Sequence, residues 1–225
     1  MLAAGEDRRG TPMKTRTCLA VLALAAACAP LPPPRVYMPP AGAVPSGPFG
    51  GGSLAPRATA MGGLRLCDGA SAANVGPVSW DRMAVAFTPH IQTAAGALLR
   101  NPTSGACLSS GFGPRRTASG GGREHLGVDL ANAGGGYIRA AGPGRVTAAG
   151  WRGTYGLFVE IDHGRGVRTR YGHLNEIDPT LGVGSRVAGG AAIGRMGATG
   201  NATGVHLHYE VLIRGRHVDP LSYGS

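Results

Sequence analysis

The sequence predicts a mainly β domain built on an antiparallel sheet. Seven short runs of β-forming residues follow one another after Asn101-Pro102, separated by glycine-rich breaks, and many short strands with glycine turns are the pattern of antiparallel sheet. In two of these runs apolar and polar residues alternate, as they do on a strand with one buried face. Hydrophobic residues fill 43% of the 225 positions, enough for one core, whereas 40 glycines and 17 prolines, about a quarter of the chain, imply a folded part and a loose part.

The N-terminal region reads as an address. From Met13 the chain runs Met-Lys-Thr-Arg-Thr, then the apolar stretch from Cys18 to Ala27, then Cys28; a basic start, a short apolar stretch and small residues at a boundary are the parts of a secretory signal. Met13 is therefore a better start than Met1. The apolar stretch is too short for a membrane span, which needs roughly 20 residues. Ala25-Ala26-Ala27-Cys28 resembles a bacterial lipobox, with Ala25 where leucine is usual, and lipidation of Cys28 competes with ordinary cleavage after Ala-x-Ala. Either outcome places the working chain outside the cytoplasm, in a periplasm or cell envelope, with a lipid anchor to a membrane if Cys28 is acylated. Cys67 and Cys107 then remain as a pair, and in an oxidising compartment such a pair is expected to form a disulfide rather than a metal site.

Residues 29–63 carry Leu-Pro-Pro-Pro, Met-Pro-Pro and Phe-Gly-Gly-Gly with almost no apolar periodicity and read as a Pro/Gly-rich tether. Residues 64–105 are expected to form a helical pre-domain. Between Ser79 and Arg100 the residues Trp80, Met83, Ala84, Phe87, Ile91, Ala94, Ala95, Leu98 and Leu99 recur at three- and four-residue steps, as one face of a helix does, and Thr88-Pro89 would kink or divide it. The domain proper spans 106–223, with strands expected at 106–110, 126–130, 144–149, 157–162, 167–173, 191–196 and 206–213. Asp219-Pro220 offers a capping residue followed by proline, the start of a final helical turn.

Chemistry concentrates in three motifs. If Arg123-Glu-His-Leu-Gly-Val-Asp-Leu130 is a strand, His125, Gly127 and Asp129 share one face and Leu126, Val128 and Leu130 the other. In Gly204-Val-His-Leu-His-Tyr-Glu210 the same alternation sets His206 and His208 against Leu207 and Tyr209. A lone His-x-His on a strand is more often a solvated face. Two histidines and an aspartate on the polar faces of two strands, however, make a three-ligand zinc site with an open fourth position. Tyr171-Gly-His-Leu174 adds His173 at a strand end.

His-x-Gly-x-Asp, Tyr-Gly-His-Leu and Gly-x-x-Gly-Asn-x-Thr-Gly-x-His-Leu-His-Tyr-Glu, in this order, resemble the lysostaphin/LytM family of zinc peptidoglycan endopeptidases over about residues 106–223. The resemblance implies a LytM-type fold with a zinc groove, Zn2+ held by His125, Asp129 and His208, and His173 and His206 as two catalytic histidines whose division of labour stays open. It also implies peptidoglycan as substrate. Some relatives carry a tyrosine shortly before the first zinc-binding histidine, and none stands there in this chain. Non-catalytic members of the family activate a cell-wall amidase, typically after losing a metal ligand, and this is the alternative reading, with an amidase as partner. A metal-binding protein without hydrolytic activity is a third, and it leaves two histidines unexplained.

The remaining signals are weaker. Tyr155 is expected to pack rather than line a groove, Asn201 to sit in the turn that delivers His206, and His90 and His217 to be surface or structural residues. A segment before the domain blocks the groove in some relatives, and residues 64–105 stand where they could do so. The formal charge of +10 comes from 22 basic and 12 acidic residues, nearly all the basic ones arginine. No Cys/His finger, basic heptad helix or aromatic-studded basic strand accompanies it, so no nucleic-acid partner is expected, whereas an anionic polymer or membrane surface fits.

Overall fold

The computed structural model describes residues 64–70, 74–75, 78–79, 81–83, 88–115 and 123–224. The signal and lipobox with Cys28, and the tether of residues 29–63, lie outside the described residues. Among those described, no helix is long and apolar enough to cross a membrane.

The described residues contain fourteen strands. β1 (His90–Thr93) and β2 (Gly96–Leu99) form a hairpin; β3 (Cys107–Ser110) follows; β4 (Gly113–Arg115) and β5 (Arg123–His125) form a second hairpin. Then come β6 (Val128–Ala131), β7 (Tyr137–Arg139), β8 (Gly144–Trp151), β9 (Leu157–Gly164), β10 (Val167–Ile177), β11 (Arg186–Val187), β12 (Ala192–Met196), β13 (His206–Ile213) and β14 (Arg216–Val218). The large sheet is antiparallel in the order β11-β8-β9-β10-β13-β6-β3, with β12 against β10, β7 against β12 and β14 against β13.

Alternation explains its two faces. Val128 and Leu130 on β6, Leu207, Tyr209 and Val211 on β13, Val167 and Tyr171 on β10, and Val159 and Ile161 on β9 are all fully buried on the apolar side. The residues between them, Asp129, His208, Glu210, Arg170 and Glu160, turn to the opposite face. Burying one face in this way fixes the register, because a slip of one residue would send the whole apolar set to the wrong side.

Among the described residues of the range 79–100 there is no helix where one is expected. Ser79 closes a turn, with the Arg82 N–H donating to its carbonyl at 2.9 Å, and Met83 then pairs back with Arg65; Trp80 and residues 84–87 lie outside the described residues. Residues 90–99 are the β1–β2 hairpin, in which Ile91 and Leu98 are direct partners and both buried. Local chemistry decides against the helix. Pro89 lacks the N–H a helix needs, the Thr93 hydroxyl donates to the Gly96 carbonyl and accepts from the Ala95 N–H, and Gly96 takes φ +114°, open only to glycine at low cost. At the C-terminus, Asp219 caps Leu221 and Ser222, and the Tyr223 N–H reaches its carbonyl. This gives a turn rather than a helix.

The segment before the sheet is bound to it covalently. Cys67 and Cys107 form a disulfide, Leu66 pairs with Leu108 in parallel, and Leu64 and Leu66 are buried in the main core.

Candidate metal centre

The expected strand through Leu126–Leu130 is broken. β5 ends at His125 and pairs with β4, while β6 begins at Val128 and pairs with β13. Gly127 makes the corner. A Cβ there would lie 2.3 Å from the Tyr209 carbonyl oxygen, so only glycine lets the chain pass this close to β13 before Asp129. Across the β6–β13 ladder Asp129 is the direct partner of His208, and across β10 the partner of His208 is Gly172. A glycine opposite His208 leaves open the face where a side chain would crowd Tyr155 and the imidazole.

His173 reaches the same face against the pleat. Regular alternation after Tyr171 would send it to the core side. Instead the β9–β10 register shifts between Tyr171 and Leu174, and His173 adopts φ +63°. A left-handed non-glycine residue costs of order 1–3 kcal/mol and concentrates at functional sites.

The atoms converge tightly. His125 Nε2 lies 3.1 Å from Asp129 Oδ1 and 3.0 Å from His208 Nδ1, and His208 Nδ1 lies 2.9 Å from Asp129 Oδ1. The other ring nitrogens are already committed. His125 Nδ1–H donates to the Gly111 carbonyl at 2.6 Å, and His208 Nε2–H donates to Glu210 at 3.0 Å. With both rings neutral, two nitrogen lone pairs and a carboxylate oxygen would face one another with no hydrogen between them, an arrangement that asks for a positive charge, a proton or a metal ion. The same demand shows in titration. Burial opposes charge on His208, yet the hydrogen bonds to Asp129 and Glu210 outweigh it and raise its pKa to about 9; Asp129, despite burial, is held far below the usual carboxylate range by His125 and His208.

Two further imidazoles border this cluster. His173 and His206 have ring centroids 4.7 Å apart, and His173 lies 5.9 Å from the His208 ring. His173 Nδ1–H donates to the Thr199 carbonyl and His206 Nδ1–H to the Gly204 carbonyl, each at 2.8 Å, which leaves Nε2 of both as acceptors. Burial, then the neighbouring imidazoles, lower the His173 pKa and keep it neutral. The five residues singled out from the sequence thus lie together around a cavity of about 350 Å³. Tyr155, expected to pack, lines this cavity, as does Asn201. The Tyr155 hydroxyl donates to Glu210 at 2.6 Å. His217 takes the structural of its two expected places, contacting Glu210 at 3.0 Å, while His90 is exposed on β1.

The sequence reading missed two residues. Glu210, fully buried, accepts from His208, Tyr155 and Arg170; its place two residues after His208 on one strand face was a usable signal. Arg115 donates to Asp129 Oδ2, and nothing in the spacing of β4 and β6 announces that contact.

Residues 123–220 match peptidase family M23. They form an M23 peptidase domain. The M23 domain is 44% identical over 100 residues to the DD-carboxypeptidase/endopeptidase Mpg of Neisseria meningitidis, covering 44% of this chain and 23% of that protein. It is 39% identical over 126 residues to the peptidoglycan DD-endopeptidase ShyC of Vibrio cholerae, covering 55% and 29%. A zinc containing peptidase from Vibrio cholerae superposes with a TM-score of 0.52 at 31% identity, covering 58% of this chain and 45% of that one. The chain spans about a quarter of the length of the curated relatives it matches. The LytM-type antiparallel fold of the M23 domain and a His-Asp-His donor set suited to Zn2+ agree with these likenesses.

Proposed function

We propose that this chain is an exported zinc-dependent endopeptidase that cleaves peptide cross-links in peptidoglycan. One observation carries the reading. Three acceptor atoms, from His125, Asp129 and His208, lie within 4.8 Å of one another, and their outer hydrogen-bond partners turn each lone pair inward. His125 Nε2, Asp129 Oδ1 and His208 Nδ1 would hold the zinc, a donor set that leaves a fourth position open. Zinc there would supply a water acidified toward neutral pH and a Lewis acid for the scissile carbonyl.

The protein's own groups would do the rest. His173 and His206, each fixed with Nε2 as acceptor, would take a proton or, once protonated, donate a hydrogen bond to an oxyanion. Their carbonyl partners hold the tautomers so that no reorganisation is needed at the moment of reaction. Glu210 would keep His208 Nε2 protonated and the ligand nitrogen pointed inward. The intact ligand set favours hydrolysis over the activator reading. Export rests on the sequence between Met13 and Cys28.

Zinc content and muropeptide release from purified sacculi, compared between the chain from residue 29 and its His208→Ala variant, test this. Near-stoichiometric zinc and new products, both lost in the variant, are expected. A wild-type chain that binds no zinc would overturn the reading, and zinc without products from any wall type would favour the activator.

A further inference from the structure

We propose that Arg115 selects the substrate by binding a free carboxylate on the residue that follows the scissile bond. The proposal rests on the hydrolase reading above and names what its site recognises.

Arg115 ends β4, and its guanidinium donates to Asp129 Oδ2, while Oδ1 of the same carboxylate faces His125 and His208. The guanidinium is thus one carboxylate group away from the ligand nitrogens. Its side chain stays 44% exposed. A guanidinium carries five N–H donors in a planar fork, and Asp129 is the partner it reaches among the described residues. Among the described residues its other N–H donors have no such partner, and the side chain lines the groove.

The groove has two halves, and Arg115 stands in both. One cavity of about 350 Å³ holds His173, Tyr155 and Asn201; a second of about 360 Å³ holds Ser109, Ser110, Gly204 and Val205. Arg115, Asp129, Thr203 and His206 line both. A peptide crossing the metal position from one cavity to the other passes Arg115 beside the reacting carbonyl. No lysine or second arginine lines either cavity among the described residues.

Chemistry then identifies the group. In a peptide that ends just after the scissile bond, or in a branched one whose amine donor carries its own α-carboxylate, a single Cα separates the scissile nitrogen from a free carboxylate. That short separation matches the one-group step from the ligand nitrogens to the guanidinium. Arginine binds carboxylates bidentately with charge-assisted hydrogen bonds, which lysine cannot reproduce. A chain linked through plain glycine offers no such anion at that place. The free edge of Arg115 therefore distinguishes carboxylate-bearing D-amino-acid junctions from uncharged peptide bridges.

The experiment uses two synthetic acyl-D-Ala-D-Ala peptides, one with a free C-terminal carboxylate and one with a C-terminal amide. Hydrolysis is measured with wild type, Arg115→Gln and Arg115→Lys, all at saturating zinc and with zinc content recorded. The expected wild-type preference for the carboxylate is on the order of 10- to 100-fold in kcat/KM, expressed mainly in KM, for an arginine that stays partly exposed. The Gln variant loses the preference, its kcat/KM on the carboxylate peptide falling to that on the amide peptide whatever the common rate, and the Lys variant keeps part of it. Binding of free D-alanine, followed by calorimetry, falls at least tenfold in the Gln variant and gives a readout independent of turnover. Equal wild-type rates on both peptides, or a preference that survives in the Gln variant, would overturn the proposal and leave the hydrolase reading standing. Failure to cleave either peptide or intact sacculi would overturn both.

Discussion

Glu210 shows how much of a metal centre lies behind its ligands. It is fully buried, yet it accepts hydrogen bonds from His208, Tyr155, Arg170 and His217. Burial alone would raise its pKa, but these donors, His208 first, hold it at about 2. Tyr155 feels the same carboxylate from the other side; burial and Glu210 push its hydroxyl up to about 12, so it stays a donor. Partners that orient a ligating histidine typically contribute 10- to 100-fold in metal affinity. Glu210→Gln keeps an acceptor for His208 and loses the charge, so zinc affinity is expected to fall about tenfold; Glu210→Ala removes both and is expected to cost about 100-fold. Competition with a chromogenic chelator measures each. Equal affinity in wild type and both variants would show that His208 needs no such support. The five histidine and aspartate positions were legible in the sequence because alternation places chemistry on one face. The inward turn of His173 was not, since it depends on a bulge opposite β9 that the motif Tyr-Gly-His-Leu does not spell out.

At the scale of elements, the centre is a consequence of register. The row Gly172, His208, Asp129 and the row Glu160, Arg170, Glu210 each run straight across neighbouring strands. In the second row Arg170 sits between two carboxylates, 2.6 Å from Glu160 and 3.3 Å from Glu210, the opposite-charge arrangement that steadies an antiparallel pair. Gly127 lets β6 enter this register. Gly127→Ala would drive a methyl group into the Tyr209 backbone, and backbone cannot yield as a flexible side chain can. The expected result is a separation of β6 from β13, loss of zinc binding, and a stability loss of about 1–3 kcal/mol from overpacking. Thermal unfolding with and without zinc checks this, and an unchanged melting temperature with full zinc content would contradict the geometry. β3, β6, β8, β9, β10, β12 and β13 were legible because β-forming runs recur between glycine breaks, two of them with clear alternation, whereas the short strands β4, β5, β7, β11 and β14 carry no such signal. The β1–β2 hairpin was not legible, because Ile91, Ala94, Ala95, Leu98 and Leu99, at three- and four-residue steps, imitate a helix face. The Thr93 hydrogen bonds, the positive φ of Gly96 and the pairing of Ile91 with Leu98 distinguish the two readings.

On the scale of the whole molecule, the decisive relation is between the segment before the sheet and the groove. Latency predicts that part of residues 64–105 covers the site, yet neither cavity is lined by a described residue of that stretch. The segment lies instead along the outer edge of β3. Leu64, Leu66, Ile91 and Leu98 join the same core as the sheet, Arg100 donates to the Pro220 carbonyl from a fully buried position, and the disulfide closes a separation of 40 residues. A bond closing a loop of that length contributes about 4 kcal/mol in the chain-entropy account. Each of these contacts makes the segment a structural prop, and covering an edge strand also protects it from pairing with other chains. A chain beginning at Asn101 is therefore expected to melt well below the chain beginning at residue 29, to aggregate on heating, and to hydrolyse sacculi no faster at temperatures where it stays folded. The Cys67→Ser/Cys107→Ser variant, which keeps the segment and loses the bond, is expected to melt between the two. A plug gives the opposite pattern: the shortened chain would keep its melting temperature and turn over faster. Melting temperature and rate, measured together on the three proteins, separate a prop from a plug because only the prop couples loss of stability to unchanged catalysis.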